Sequence, residues 1–143
     1  MIVNTAYAYM GKATPADPKL WGDGKVYVPY SLIEGATFNP TSDVYGSYFQ
    51  LPNANSEVDL TINAKGYTAI SLKMNRQAAG GVQVTFGFYS GSSLISNVVQ
   101  RIDNYVTEYA IAIPEAARKA GVTLKITRVN SFAINLFPAT MTV

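Results

Sequence analysis

A strict alternation of apolar and polar residues limits this chain more than any other feature of its sequence. In segment 57–63 every second residue is apolar, namely Val58, Leu60 and Ile62. This period of two is typical of a strand with one buried face, because successive side chains point to opposite sides of a sheet. The same pattern predicts further inward-facing sets: Ile70, Leu72 and Met74; Val84, Phe86 and Phe88; Tyr109, Ile111 and Ile113; Val122, Leu124 and Ile126; Phe132, Ile134 and Leu136.

The segments between these strands carry turn residues. Segments 63–66 and 75–81 contain the Asn and Gly residues that adopt positive φ most readily, and their shortness favours antiparallel neighbours. Prolines and glycines divide the first half of the chain into shorter strands, which we expect at 3–10, 26–37 and 44–51.

Helix is almost absent from this pattern. Only segment 114–120 looks helical, since a proline opens it, acid precedes base along it and Gly121 follows it. We expect one or two turns there. Eight to ten short strands with so little helix predict an all-β fold, an antiparallel β-sandwich or jelly roll. A chain of 143 residues suits one domain. We expect the sandwich over residues 26–143, preceded by a strand or arm at 1–25.

Composition excludes several functions. The chain has no cysteine and no histidine, so disulfides, thiolate or imidazole metal sites and Ser-His-Asp catalysis are ruled out. Its 11 basic residues are scattered and barely outnumber its 9 acidic ones, which argues against nucleic acid as a partner. No apolar run is long enough to span a membrane. Residues 1–7 do not read as a secretory signal, so synthesis in the cytoplasm is expected; a trimmed extracellular module is the alternative.

Two carboxylates are the only catalytic candidates. Glu57 and Asp59 are two residues apart on one strand and so lie about 7 Å apart on its outward face, in the range of an acid/base pair. An ordinary solvated polar face is the favoured explanation, because solvated carboxylates lack the burial that tunes a catalytic pKa. The prediction is therefore a protein that is not an enzyme.

Three loop aspartates raise the question of a bound cation. Asp17, Asp23 and Asp43 lie among backbone carbonyls, and Ca²⁺ in a β-sandwich needs only such oxygen ligands. Their spacing matches no EF-hand, and Asp23-Gly24 also makes a good turn. Calcium stays an alternative to the expectation of no cofactor.

Aromatic residues are the main candidates for binding. Tyrosine suits protein interfaces and stacking against sugar rings, because its ring is apolar and its tip is polar. Half-buried rings that close the ends of the sandwich are the alternative. The residues concerned fall in loops or at predicted outward positions: Trp21, Tyr27, Tyr30, Tyr45 and Tyr48, with Tyr67 and Tyr89 in the wider group.

Two resemblances follow from these segments. The strands around residues 67–72, 109–114 and 122–135 resemble galactose-binding-like jelly rolls, many of which are carbohydrate-binding modules. The opening segment 1–9, in a small cysteine-free β-domain without a signal, is similar to small virion proteins of tailed bacteriophages. The second resemblance implies a location in the virion, as a head-decoration, neck or tail component.

These resemblances give two functional hypotheses. The first is a non-enzymatic bacteriophage virion protein that forms homo-oligomers or binds other virion proteins. Its support is a set of small outward residues that leave the sheet faces weakly charged: Ala69, Ser71, Thr85, Gly87, Ala110, Ala112 and Ala133. The alternative is a carbohydrate-binding or receptor-binding domain whose exposed aromatics contact a glycan.

Overall fold

The structure is a computed structural model that describes residues 7–9, 11–13, 27–43, 46–76, 81–103, 106–129 and 133–143. At 7–9, 11–13, 27–28, 40–43 and 46–47 it describes the backbone alone. The described chain is almost entirely β and forms two sheets, which confirms the predicted β-sandwich.

Each sheet contains six strands of the described chain. In order across it, the first sheet consists of β1 (Tyr7–Tyr9), β3 (Tyr27–Ile33), β6 (Glu57–Ile62), β11 (Val122–Arg128), β8 (Val82–Ser90) and β9 (Ser93–Ile102). The second consists of β10 (Thr107–Ala112), β7 (Ala69–Arg76), β12 (Ile134–Thr142), β5 (Gly46–Leu51) and β4 (Thr37–Asp43), with β2 (Gly11–Ala13) beside β12. All these pairs are antiparallel except β2 with β12.

The core lies between the two sheets and follows the predicted alternation. The inward sets of β6, β7, β8 and β11 are all at most 2% exposed. Phe49, Phe86 and Phe88 are its largest side chains, and none of them has any exposed surface. Burial of each such ring stabilises the fold by about 1.5–3 kcal/mol. The outward residues of these strands are therefore fixed on the solvent side.

The predicted strand 26–37 is wrong, because a tight turn divides it. Glu34 (φ 55°) and Gly35 (φ 81°) both adopt left-handed conformations, and the Ala36 amide donates to the Ile33 carbonyl at 3.3 Å. This turn carries the chain from β3 in the first sheet to β4 in the second. Glutamate seldom adopts positive φ, so Gly35 alone marks this turn in the sequence.

Segment 114–120 forms a single 3₁₀ turn, Glu115–Ala117, which confirms the short helical turn predicted there. Alternation fails in β12, where a bulge between Leu136 and Ala139 shifts the register against β7. Phe132 lies outside the described residues, as does most of 1–25; the two short strands β1 and β2 each pair with a sheet, and the boundary at residue 25 stays a prediction.

Candidate functional site

The outer face of the first sheet brings together charged residues that are far apart in the sequence. Because Val58 and Leu60 point into the core, Glu57 and Asp59 point outward from β6. On the neighbouring strand β11, Lys125 lies directly opposite Asp59. We call Glu57, Asp59 and Lys125 the acid–lysine cluster.

Short contacts hold this cluster together. The Lys125 ammonium donates to Asp59 Oδ2 at 2.9 Å, and its Nζ lies 3.8 Å from Glu57 Oε2. The Thr127 hydroxyl donates to Glu57 Oε1 at 2.8 Å. The side chains of Glu57 and Asp59 are only 18% and 13% exposed, so the cluster is largely shielded from water.

Shielding changes the protonation of Glu57. Its pKa is raised to about 7. Desolvation is the largest cause, the neighbouring Asp59 carboxyl adds to the rise, and the Thr127 hydroxyl and the Lys125 charge oppose it. The pKa of the Lys125 ammonium is raised as well, mainly by its hydrogen bond to Asp59, which favours the charged form. Glu57 is therefore partly protonated near neutral pH. The expectation of a solvated polar face is wrong here.

An aromatic ring borders the cluster. The Lys125 ammonium lies 5.3 Å from the centroid of the Tyr89 ring, within the range of a cation–π contact. Gly87, directly opposite Lys125 on β8, leaves room for this ring. A Cβ at Gly87 would lie 2.8 Å from Tyr89 Cε1 and 3.0 Å from Asn97 Oδ1.

Replacing Gly87 with alanine is expected to push the Tyr89 ring away from Lys125. The added methyl would overlap the ring, and we expect a loss of about 1 kcal/mol of stability. The upfield ring-current shift of the Lys125 ε-methylene protons in NMR spectra checks this, because that shift should shrink. Thr85→Ala, two residues away on the same strand, is the matched control and should leave it in place.

A groove opens beside the cluster on the same face. It has a volume of about 330 Å³ and is lined by Pro29, Ser31, Asp59, Thr61, Gly91, Thr123 and Lys125. Two hydroxyls face each other across its floor, because Thr61 and Thr123 are register partners. We call it the outer groove. Its hydroxyl, carboxylate and ammonium groups can donate and accept hydrogen bonds with a polar, uncharged ligand.

The second sheet also carries a groove on its outer face. It is smaller, at about 200 Å³, and is lined by Ser71, Leu72, Lys73, Glu108, Phe137, Pro138 and Thr140. Ser71 and Thr140 are register partners, as are Lys73 and Glu108. This surface provides matched control positions for the outer groove.

The carboxyl pair is not arranged as in a glycosidase. Glu57 and Asp59 lie within hydrogen-bonding reach of each other. Glycoside hydrolysis requires carboxyl groups about 5–5.5 Å apart for retention, or about 6.5–9.5 Å apart for inversion. The Lys125 ion pair also occupies Asp59, the carboxylate that would act as nucleophile.

Of the five predicted aromatic contacts, the structure corrects one. Tyr30 is buried at 7% exposure, its ring lies 5.1 Å from that of Phe49, and burial raises its pKa. It points inward because it pairs with the core residue Leu60 on β6. Tyr67, from the wider group, is also buried, at 9% exposure.

None of the other predicted aromatic residues or loop aspartates is described as part of the outer groove. Tyr48 is half-buried on β5, and its ring lies 5.6 Å from that of Phe137, on the side of the second sheet away from the outer groove. Tyr27 and Asp43 lie at strand positions where only the backbone is described. Trp21, Tyr45, Asp17 and Asp23 lie outside the described residues, so they stay predictions.

Sequence reasoning identified Glu57, Asp59 and Tyr89 as outward-facing but missed Lys125. A signal was present, since Lys125 alternates with the inward Leu124 and Ile126. What could not be read was the pairing of β11 with β6, which places Lys125 against a carboxylate 66 residues away. Within the described residues there is no cluster of acidic side chains suited to a metal ion, and no helix there has the length and hydropathy of a membrane span.

Comparison with known proteins gives a fold and no family. No protein-family profile matches the chain, and no curated protein matches it in sequence. Among solved structures, the family 35 carbohydrate-binding module from Paenibacillus barcinonensis is 18% identical, with a TM-score of 0.56 over 80% of this chain and 92% of its own. The xylan-binding module CBM22-1 of Xyn10C from the same organism is 10% identical, with a TM-score of 0.54 over 79% and 85%.

A catalytic protein is also similar. The whole chain matches part of the Agl-KA catalytic domain at 14% identity with a TM-score of 0.57, but it spans only 30% of that protein. Most of the similar structures are carbohydrate-binding modules. The chain therefore has the jelly-roll fold of carbohydrate-binding modules.

Proposed function

We propose that this domain is a non-catalytic carbohydrate-binding module that holds a glycan in the outer groove. The observation that carries the proposal is the groove itself, in which Thr61, Thr123 and Ser31 offer hydroxyls beside Lys125. Sugar rings are bound by such convergent polar groups on a rigid surface. Strands buried on their inner side hold these groups in place.

The similar structures support the same class of ligand. One of them is described as a xylan-binding domain. That likeness concerns the fold, so the ligand of this chain is inferred from its own groove. A neutral β-linked oligosaccharide such as xylohexaose is therefore a reasonable first probe.

The double substitution Thr61→Leu/Thr123→Leu is expected to weaken glycan binding at least about fivefold. It replaces two facing hydroxyls with hydrocarbon, and each lost hydrogen bond costs about 0.5–1.5 kcal/mol. The wild-type chain is first screened on a glycan array, and the best ligand is then titrated into both proteins by calorimetry.

The matched control is Ser71→Leu/Thr140→Leu, which changes facing hydroxyls on the second sheet in the same way. This variant should bind as the wild type does. Equal loss in both variants, or no binding to any glycan, would contradict the proposal.

Assembly into a virion stays a prediction, because neither the comparisons nor the fold bears on it. Strand β9 forms an edge of the first sheet, and its exposed Leu94 and Val99 are the surface in the described chain that best suits a contact between subunits. Light scattering over a concentration series tests it: a defined oligomer would support assembly, and a 15.4 kDa monomer would oppose it.

A further inference from the structure

We infer that the outer groove takes uncharged sugars, excludes anionic ones, and binds its ligand together with a proton held by the Glu57–Asp59 pair. The inference rests on the proposed function and specifies its ligand class and its regulation. Its basis is the contact geometry of the acid–lysine cluster at the wall of the groove. Asp59 and Lys125 line the groove, whereas Glu57 lies behind them.

The charge of the cluster excludes anions. With both carboxyl groups ionised it carries one net negative charge, and its single cation is already paired with Asp59 at 2.9 Å. The other side chains that line the outer groove are uncharged. When Glu57 is ionised, a uronate or sulfate group would therefore meet like charge beside a cation that is already paired, and like charges at close range repel strongly in a shielded site.

The cluster also contains an acceptor that lacks a donor. Asp59 Oδ1 is buried and makes no hydrogen bond. A proton on Glu57 can be donated to Asp59, since the two carboxyl groups lie within hydrogen-bonding reach. When Glu57 is protonated, Lys125 neutralises only the Asp59 carboxylate. Its other ammonium hydrogens are then available to sugar hydroxyls.

A bound sugar shifts this proton equilibrium in one direction. A ligand in the outer groove displaces water from Asp59 and Lys125, and this water is what stabilises a second negative charge beside them. Desolvation disfavours the ionised form, so the sugar raises the pKa of Glu57 above its value of about 7 in the free protein. By linkage, the sugar then binds more tightly as the pH falls.

Few groups of the described chain can titrate against Glu57. The charged side chains that act on it there are Asp59 on its own strand and Lys125 on β11, and the Tyr89 ring on β8 lies against Lys125. The residue opposite it on β3 is Ile33, and the exposed Glu34 follows Ile33 in the chain. Asn97 on β9 is uncharged. The coupling near neutral pH is therefore assigned to the carboxyl pair.

Calorimetry with xylohexaose at pH 6 and pH 8 tests the inference, with glucose and galacturonic acid hexamers as the other probes. If the sugar shifts the pKa by about one unit, affinity should be about fivefold higher at pH 6 than at pH 8. Titration at pH 7 in two buffers of different ionisation enthalpy should show uptake of about 0.4 proton per sugar. The galacturonate hexamer should not bind at pH 8, where both carboxyl groups are ionised.

Glu57→Gln is the decisive variant, and Glu108→Gln on the second sheet is its control. The first should bring the ratio of affinities at the two pH values to about one, and the second should retain the wild-type ratio. A neutral sugar that binds without proton uptake overturns this inference and leaves the proposed function standing. Absence of binding to every probe overturns both, and galacturonate binding at pH 8 overturns the charge selection.

Discussion

Replacing Lys125 with methionine is expected to lower the free energy of unfolding by about 2–3 kcal/mol at pH 8. Methionine keeps the length of the side chain but removes the only cation of the acid–lysine cluster. Glu57 and Asp59, at 18% and 13% exposure, would then face each other as two shielded anions. The figure lies below that of a fully buried pair, because the Lys125 side chain is 32% exposed.

The pH dependence of this loss identifies its cause. Removing Lys125 raises the pKa of Glu57 further, because the Lys125 charge lowers it in the wild type. At pH 5 Glu57 is protonated and the variant should lose only about 1 kcal/mol. Urea denaturation at both pH values measures the difference. Lys73→Met, at an exposed position on the second sheet, is the control and should change stability by less than about 0.5 kcal/mol.

The core-facing residues of this sandwich can be predicted from the sequence. Alternation identifies the core faces of β6, β7, β8 and β11, because these strands are regular and each buries one side. It fails where the backbone departs from regular geometry, at the Glu34–Gly35 turn and at the bulge after Leu136. Such departures depend on how strands meet in space, which no local pattern records.

The chemistry of the outward-facing residues is harder to predict, because it depends on which strands are neighbours. The sequence places two carboxylates on one face of β6, but it does not show that Lys125 lies opposite Asp59. This pairing shields the two carboxylates from water and raises the pKa of Glu57. Tyr30 shows the opposite error, since one residue of register decides whether its ring faces a ligand or the core.

The stability of the wild-type chain is expected to fall by about 2–3 kcal/mol as the pH rises from 4.5 to 8. Glu57 has a pKa of about 7 in the folded state against 4.5 in its ordinary environment, so the folded chain holds this proton more tightly than the unfolded chain. Over that interval the folded state binds more protons, and stability therefore decreases with pH. Above pH 8 both states have lost the proton, and the Glu57 contribution becomes constant.

Glu57→Gln should remove most of this slope, because glutamine keeps the bond from Thr127 and cannot ionise. The variant should gain about 2–3 kcal/mol over the wild type at pH 8 and differ little from it at pH 4.5. Urea midpoints at pH 4.5, 6, 7 and 8 give both profiles, with Glu108→Gln as the control that keeps the wild-type slope. A domain stabilised by removal of a carboxylate would hold that carboxylate at a cost in stability. That cost is expected where a charge is retained for binding and not for folding.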